Sequence, residues 1–469
     1  MESGIFFTSF FFQSLKLSYN IPLMSDQTLA QNVANKASQD LLKGSIASND
    51  IQYRIQGGTP LRGDIQISGS KNAVLPLIAG SLLCSGETVL TNVPDLRDVR
   101  VMLEILQYLG ADATFQEGTV RIRTHNVQSK PIPAEFVGKL RGSIVLMGPL
   151  LARFGVVEMA YPGGCVLGKR PVDAHREALV QLGAQETSRD GVLHYQGKLK
   201  AAQVILPEFS VTATENAVLA SALLLGETVI EMAACEPHVQ EVCKLVTAMG
   251  AEVDGAGTHT LKIRGRQDLK SVTHTVTSDY LEAGAFAVAA LVTKGKVRLH
   301  NAQFDHLISF LNALSRMGAV WKYDEDEKIL FIDGELSSLQ PVKVQTNIFP
   351  GFPTDLLPPL GVAMTQANGV SRIFECLFEG RMAYLYELEK MGAHIEILNS
   401  HQALIIGPTK LRGRTVASND IRAGVAMVIA GLCAEGETIV TDVQYIERGY
   451  DQLDRKLQSI GARIERIVN

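Results

Sequence analysis

Apolar residues fall along this chain in two alternating arrangements. In one, the stretches AVLPLIAGSLL (from Ala73), AVLASALLL (from Ala217), AGAFAVAALV (from Ala283) and AGVAMVIAGL (from Ala423) are apolar on every side. In a water-soluble chain that predicts helices buried all round. In the other, Val99, Met102, Leu103, Leu106 and Leu109 recur at helical spacing with polar residues between them, which predicts an amphipathic surface helix. Gly110 follows it, where a left-handed cap is expected. Between the two kinds of helix stands a strand signal, GETVL at Gly86, which returns as GETVI at Gly226 and GETIV at Gly436. After the amphipathic helix come two short strand signals, ADATF and TVRIRT.

The dipeptide Gly-Ala closes a helix-like stretch at Gly110, Gly183, Gly250, Gly318, Gly392 and Gly461, roughly seventy residues apart each time. The chain therefore reads as six copies of one unit: helix, strand, helix, strand, strand. One copy cannot hide its all-apolar helix alone, whereas three clustered copies can. The predicted fold class is α/β, in two globular lobes of three units, with apolar helices inside and sheets and amphipathic helices outside. A linear solenoid is the alternative, disfavoured because solenoid repeats usually run to roughly 20–45 residues.

At 469 residues and 46% hydrophobic, the chain is long enough for more than one core. The formal net charge of −5 and the lack of a basic block argue against nucleic acid as a partner, so any cationic site is local. Six cysteines (Cys84, Cys165, Cys235, Cys243, Cys376, Cys433) without CxxC pairs point to free thiols in a reducing compartment. The apolar run Ile5 to Phe12 is too short to span a bilayer and lacks a basic lead-in. Residues 1–50 read as a poorly ordered extension, with Met24 an alternative start. No metal-ligand constellation stands out, and SGSKN lacks the spacing of a phosphate-binding P-loop, so neither metal nor cofactor is expected.

Chemistry concentrates in a few short stretches. In YPGGCVLGKRPVDAH, glycines 163, 164 and 168 predict a mobile loop, and Lys169 and Arg170 favour thiolate at Cys165. The other five cysteines read as small buried hydrophobes. In NIFPGFPTDLLPP the prolines fix a loop presenting Asp355, although Pro-Thr-Asp is also an ordinary turn. Lys71 in SGSKNA, Arg422 in NDIRAG and Arg448 in ERGY are local cations whose plain reading is a solvated cap or a dipole partner. Arg141 in LRGSIV opens an apolar helix, a place suited to an anion.

Together GGCVLGKRPVDAH, SGSKNAVLPLIAGSLL, RGSIVLMGPLLARFG, FPTD, and DIRAGVAMVIAGLCAEGET followed by YIERGYDQLDRKLQSIGA resemble the UDP-N-acetylglucosamine enolpyruvyltransferases of the EPSP synthase family, from about Ile51 to Asn469. The resemblance implies two inside-out α/β barrels, each of three units around buried helices. The first lobe would span 72–277 and the second 51–71 plus 278–469, with crossings near Lys71 and Ser278. It implies a cytoplasmic transferase of peptidoglycan synthesis, and so a part in cell-wall biogenesis, cell shape and division. That enzyme moves the enolpyruvyl group of phosphoenolpyruvate onto the 3′-hydroxyl of UDP-N-acetylglucosamine and releases phosphate, with no cofactor and no membrane insertion.

The resemblance also nominates residues. Lys71, Asn72, Arg170, Arg422 and Arg448 would hold phosphoenolpyruvate. Asn72, Arg141, Arg170, Pro171, Val172, Asp173, Ser210, Val211, Asp355 and Leu377 would hold the sugar nucleotide. Cys165 would donate a proton to C3 of phosphoenolpyruvate and be the sulfur that fosfomycin alkylates, and Asp355 would be the base. The chain departs from the pattern at Glu208, at Thr212 in place of a glycine, at Tyr445 in place of a frequent histidine, and at Cys235-Glu-Pro-His in place of Arg-Glu-Pro-Glu. Those departures motivate an alternative, a catalytically silent paralogue that binds UDP-N-acetylglucosamine. The sister enzyme, 5-enolpyruvylshikimate 3-phosphate synthase, is disfavoured by the glycine-flanked cysteine and the lack of a Ser-Ser-Gln run.

Overall fold

The computed structural model describes residues 51–162, 171–189 and 191–468; the extension expected over 1–50 lies outside the described residues. The all-apolar stretches are helices with no exposed face. Every residue of Tyr280–Val292 and of Leu357–Thr365 is buried, as are Arg422 to Leu432 of Ile421–Cys433, and these three helices pack on one another. Lys71–Gly80 and Val211–Ser221 both pack on the 3-10 helix Arg141–Leu146, and Met147–Phe154 lies against Val211–Ser221. Removing whole helices of apolar surface from water is the main stabilising term in such an arrangement.

The six expected cap glycines all take positive φ, from 79° at Gly318 to 116° at Gly250. A side chain is strained there, so each glycine ends its unit's amphipathic helix and turns the chain into the strands. Five units follow the predicted order, the first running Lys71–Gly80, Glu87–Thr91, Arg97–Leu109, Asp112–Gln116, Thr119–Arg123; in the sixth only Arg463–Val468 follows the second helix, and Ile51–Gln56 pairs with it in place of a second strand.

The strands form six sheets among the described residues, five of four strands and one of three, and none closes on itself. The pattern of apolar positions did not foretell the fourth strand. It is short and parallel to its neighbour: Thr273–Thr275 beside Glu87–Thr91, Gln203–Ile205 beside Glu227–Glu231, Arg62–Gln66 beside Lys296–His300, Lys343–Gln345 beside Gly369–Phe374, and Thr415–Ala417 beside Glu437–Thr441. In the three-stranded sheet a lone parallel bridge, Ile132 with Met159, stands in its place. Strand Ile51–Gln56 lies between Glu437–Thr441 and Arg463–Val468, antiparallel to both, with Tyr53 opposite Val440 and Arg466.

Buried apolar residues gather in two clusters. One draws on Tyr53 to Ile67 and Tyr280 to Ile464, the other on Ala73 to Val276. The two connections between them run side by side: Gly69 and Ser278 form an antiparallel bridge, Ser70 N donates to Thr277 O at 2.7 Å, and Asp279 N donates to Ser68 O at 2.8 Å. A Cβ on Gly69 would lie 1.8 Å from the Asn92 carbonyl oxygen, so the crossing admits only glycine. Among the described residues no helix is long and apolar enough to cross a membrane.

Candidate active site

The crossings deliver two charged residues to one place. Helix Lys71–Gly80 starts directly after the first crossing, capped by Ser70, whose Oγ accepts from Ala73 N at 3.4 Å. This cap sets Lys71 in the first turn, where its Nζ lies 3.0 Å from Asp98 Oδ2. Asp98, 1% exposed, sits in the first turn of Arg97–Leu109, where a negative charge suits the helix dipole. Arg448, the last residue of the 3-10 helix Val443–Arg448, reaches the same carboxylate from 350 positions away, Nε to Oδ1 at 2.9 Å and Nη2 to Oδ2 at 3.4 Å. Burial alone would raise the Asp98 pKa, but Lys71 and Arg448 outweigh it and hold the group below the usual aspartate value.

A second cluster forms around Asp355, in the 3-10 turn Thr354–Leu356 that leads into helix Leu357–Thr365. Arg381 Nη2 donates to its Oδ1 at 2.7 Å and Arg422 Nε to its Oδ2 at 3.0 Å. Arg422 is buried at the start of Ile421–Cys433, its guanidinium 5.3 Å from the centre of the Tyr450 ring. Burial opposes its charge, but Tyr450, Asp355 and Asp279 outweigh that and raise its pKa, so it stays protonated. Arg422 Nη1 and Arg381 Nε are buried without a hydrogen-bond partner, while Arg381 Nη1 lies 3.7 Å from Asp420 Oδ1. Buried donors left unsatisfied are costly, which suits them to receive an anion.

Asp279 joins the two clusters. It caps Tyr280–Val292, accepting from Leu281 N at 2.8 Å and Glu282 N at 3.3 Å, and it also feels Arg422 and the backbone N–H of Lys71. Desolvation raises its pKa, partly offset by those donors.

A third group forms around His175, in helix Asp173–Gln181. Its Nε2 lies 3.0 Å from Thr212 Oγ1 and its Nδ1 2.8 Å from Asn216 Nδ2; Asn216 also donates to Ile144 O and accepts from Gly148 N. Burial, reinforced by the nearby charge of Arg141, pushes the His175 pKa down to about 3, so the ring is neutral. This network ties the Pro171 to Asp173 segment to the start of Val211–Ser221.

Of the residues expected from sequence, Lys71 and Arg448 meet at Asp98, and Arg422 meets Asp355. Asn72 is half-buried in the first turn beside Lys71. Arg141 and Ser210 are half-buried, each at a helix start, with Val211 next to Ser210. Val172 is buried, whereas Pro171, Asp173 and Leu377 are exposed. Cys165 and Arg170 lie outside the described residues. Among the departures, Glu208 is exposed, Thr212 is engaged by His175, Tyr445 is half-buried, and Cys235 Sγ donates to Phe349 O at 3.0 Å. The five described cysteines are free thiols. Cys84, Cys235 and Cys243 are buried as expected, but Cys433 is only half-buried and Cys376 is exposed, because it follows a strand end in an open loop. Among the described residues no cluster of His, Cys, Asp and Glu fits a metal ion.

Sequence reasoning missed Asp98, Asp279, Arg381 and His175. The two aspartates look like routine helix-start acids, and nothing local marks the other two.

Comparison with known proteins bears on the same region. Residues 55–457 match the model of the family EPSP synthase (3-phosphoshikimate 1-carboxyvinyltransferase). UDP-N-acetylglucosamine 1-carboxyvinyltransferase 2 of Carboxydothermus hydrogenoformans is 42% identical over 417 residues, 89% of this chain and 99% of that relative. UDP-N-acetylglucosamine 1-carboxyvinyltransferase of Methylacidiphilum infernorum is 41% identical over 422 residues, 89% of this chain and 99% of its own length. In fold, the chain is similar to the enolpyruvyl transferase NikO from Streptomyces tendae (TM-score 0.81, 22% identity, 90% of this chain and 99% of that one). It is also similar to EPSP synthase from Acinetobacter baumannii (TM-score 0.71, 20% identity, 89% of this chain and 100% of that one).

Proposed function

The chain belongs to the EPSP synthase family, with the UDP-N-acetylglucosamine 1-carboxyvinyltransferases, and from that membership we propose how its own residues carry the reaction. The enzyme transfers the enolpyruvyl group of phosphoenolpyruvate to the 3′-hydroxyl of UDP-N-acetylglucosamine and releases phosphate, an early step of peptidoglycan synthesis. Phosphoenolpyruvate carries a carboxylate and a phosphate on three carbons, so its pocket needs several fixed cations. In this reading Lys71, Arg448 and Arg422 supply them, joined by Arg170 and, beside Lys71, the Asn72 amide. The sugar nucleotide lies along Arg141, Pro171 to Asp173, Ser210, Val211 and Leu377.

Asp355 accepts the proton of the 3′-hydroxyl as that oxygen bonds to C2 of phosphoenolpyruvate, and Cys165 gives a proton to C3. The tetrahedral ketal then loses a proton from C3 as the C2–O bond to phosphate breaks, which restores the double bond and frees phosphate. The observation that carries this reading is the shared Asp98 carboxylate, which draws Lys71 and Arg448 together across the two hydrophobic clusters.

We read the six units as two inside-out barrels of three, 72–277 and 51–71 plus 278–469, that close on substrate about the paired crossings and exclude water. In the same reading the enzyme is cytoplasmic and fosfomycin alkylates Cys165. The test is phosphate release by the pure protein with phosphoenolpyruvate and either UDP-N-acetylglucosamine or shikimate 3-phosphate. Release with the sugar nucleotide alone is expected; release only with shikimate 3-phosphate, or with neither, overturns it.

A further inference from the structure

One buried carboxylate outside the reacting set is wired to both halves of the acceptor side of the site. Glu375 follows strand Gly369–Phe374 and is 0% exposed. Its backbone is clamped, N donating to His401 O at 2.7 Å, and its carbonyl oxygen lies 2.8 Å from His401 Nδ1. Its Oε2 accepts from Thr354 Oγ1 at 2.7 Å. Its Oε1 accepts from Leu377 N at 2.7 Å, Phe378 N at 3.1 Å and Thr346 Oγ1 at 3.1 Å. Thr346 Oγ1 in turn accepts from Cys376 N at 2.8 Å.

These four donors are neutral, and burying a carboxylate among neutral groups is a costly way to staple a loop. What the carboxylate adds is two acceptor oxygens on one short side chain, which together take four donors from two separate segments. The two ends of that link have different destinations. Thr354 directly precedes Asp355 in the turn Thr354–Leu356, so fixing its side chain fixes the backbone that aims Asp355. The other end holds the loop from Cys376 to Phe378, which presents Leu377 to solvent.

We propose that Glu375 is a positioning residue that aims the base Asp355 through Thr354 and sets the sugar-nucleotide contact at Leu377 through Thr346 and two backbone N–H groups. It touches neither substrate. The proposal rests on the reading of Asp355 as base and Leu377 as acceptor contact, and it adds that one carboxylate holds the two in register.

The two arms predict different kinetic signatures, which a plain structural role would not produce. Steady-state phosphate release is measured against UDP-N-acetylglucosamine at saturating phosphoenolpyruvate, with thermal midpoints recorded for every variant. Thr354→Val removes the link to Asp355 and is expected to lower kcat roughly 10-fold while the KM for the sugar nucleotide changes less than about 2-fold. Thr346→Val loosens the Leu377 loop and is expected to raise that KM roughly 5-fold with kcat nearly unchanged. Glu375→Leu loses both. Glu375→Gln, whose amide oxygen keeps the three donors on the Leu377 side and whose NH2 lets Thr354 Oγ1 accept instead of donate, restores activity to within about 3-fold of wild type. If Thr354→Val and Thr346→Val lower the thermal midpoint but leave both constants alone, or shift kcat and KM in the same proportion, Glu375 is a staple and the proposal fails. Asp355→Asn runs alongside: wild-type turnover in that variant overturns the base assignment and the Thr354 arm with it, while Thr346→Val still reads the Leu377 arm.

Discussion

Replacing Asp98 with asparagine removes one negative charge from between Lys71 and Arg448 while keeping the side chain's shape. Asp98 is 1% exposed, but the side chains of Lys71 and Arg448 are 13% and 30% exposed, so the stranded cations regain water. Breaking a fully buried ion pair costs about 3–5 kcal/mol, and rehydration puts this variant at the low end, about 3 kcal/mol. The pH dependence follows from the depressed pKa. Its stabilisation is fully present above the ordinary aspartate value of about 3.9 and is lost as pH falls through the lower folded value. Urea unfolding is therefore expected to show a gap of about 3 kcal/mol between wild type and Asp98→Asn at neutral pH, narrowing below about pH 4. In activity, the site gains one unit of positive charge, yet its two cations lose their common anchor. If anchoring governs, kcat/KM for phosphoenolpyruvate falls roughly 10- to 100-fold. A rise in kcat/KM would refute the reasoning, because it would make Asp98 a competitor for the cations that bind the donor.

Three further outcomes are expected. Cys165→Asp keeps phosphate release, since a carboxylic acid can donate a proton, but escapes fosfomycin because it reacts poorly with the epoxide; intact-mass measurement should find no adduct on the variant. Adduct on another cysteine would contradict this, all the more because burial pushes the thiols of Cys235, Cys243 and Cys433 up to about 11, about 12 and about 12. His238 is pushed down to about 4, chiefly by burial, with Asp355 opposing and His306 and Arg422 assisting. Between pH 6.5 and 4 the unfolded chain therefore binds the extra proton, and stability drops with acid by about 1.4 kcal/mol per pH unit on its account; His238→Gln should flatten that slope in unfolding titrations, and an unchanged slope would count against it. Thr212→Gly removes the 3.0 Å contact with His175 and should cost about 1 kcal/mol in denaturant unfolding without altering the KM for phosphoenolpyruvate.

The repeat was legible because its marker is physical: a left-handed cap tolerates little besides glycine, so Gly110 to Gly461 punctuate the sequence as they punctuate the chain's path. The buried helices were legible because they carry no polar face. The short parallel strands were not, since three residues such as Thr273–Thr275 carry no periodicity and take their meaning from a strand elsewhere in the sequence. The candidate site divides along the same line. Lys71, Asp355, Arg422 and Arg448 were nominated through motifs resembling those of the family, since alone they read as a cap, a dipole partner or an ordinary turn, whereas Asp98 and Asp279 occupy helix starts where an acid is ordinary, and their partners lie hundreds of positions away. Glu375 directly follows a strand and Arg381 lies in the short 3-10 helix Glu379–Ala383, and both owe their partners to side-chain hydrogen bonds that no spacing rule encodes.

The place of strand Ile51–Gln56 between Glu437–Thr441 and Arg463–Val468 has a consequence for how the protein comes into being. On the ribosome, that segment emerges long before either neighbour exists, and at roughly 5–20 residues per second it waits on the order of half a minute with both its edges bare. The cluster built from Ala73 to Val276 needs nothing from the final strands and can condense meanwhile. Its partner becomes whole only once Arg463–Val468 has emerged, so nascent chains stalled before Glu437 should expose an adhesive ribbon that the folded molecule has sealed.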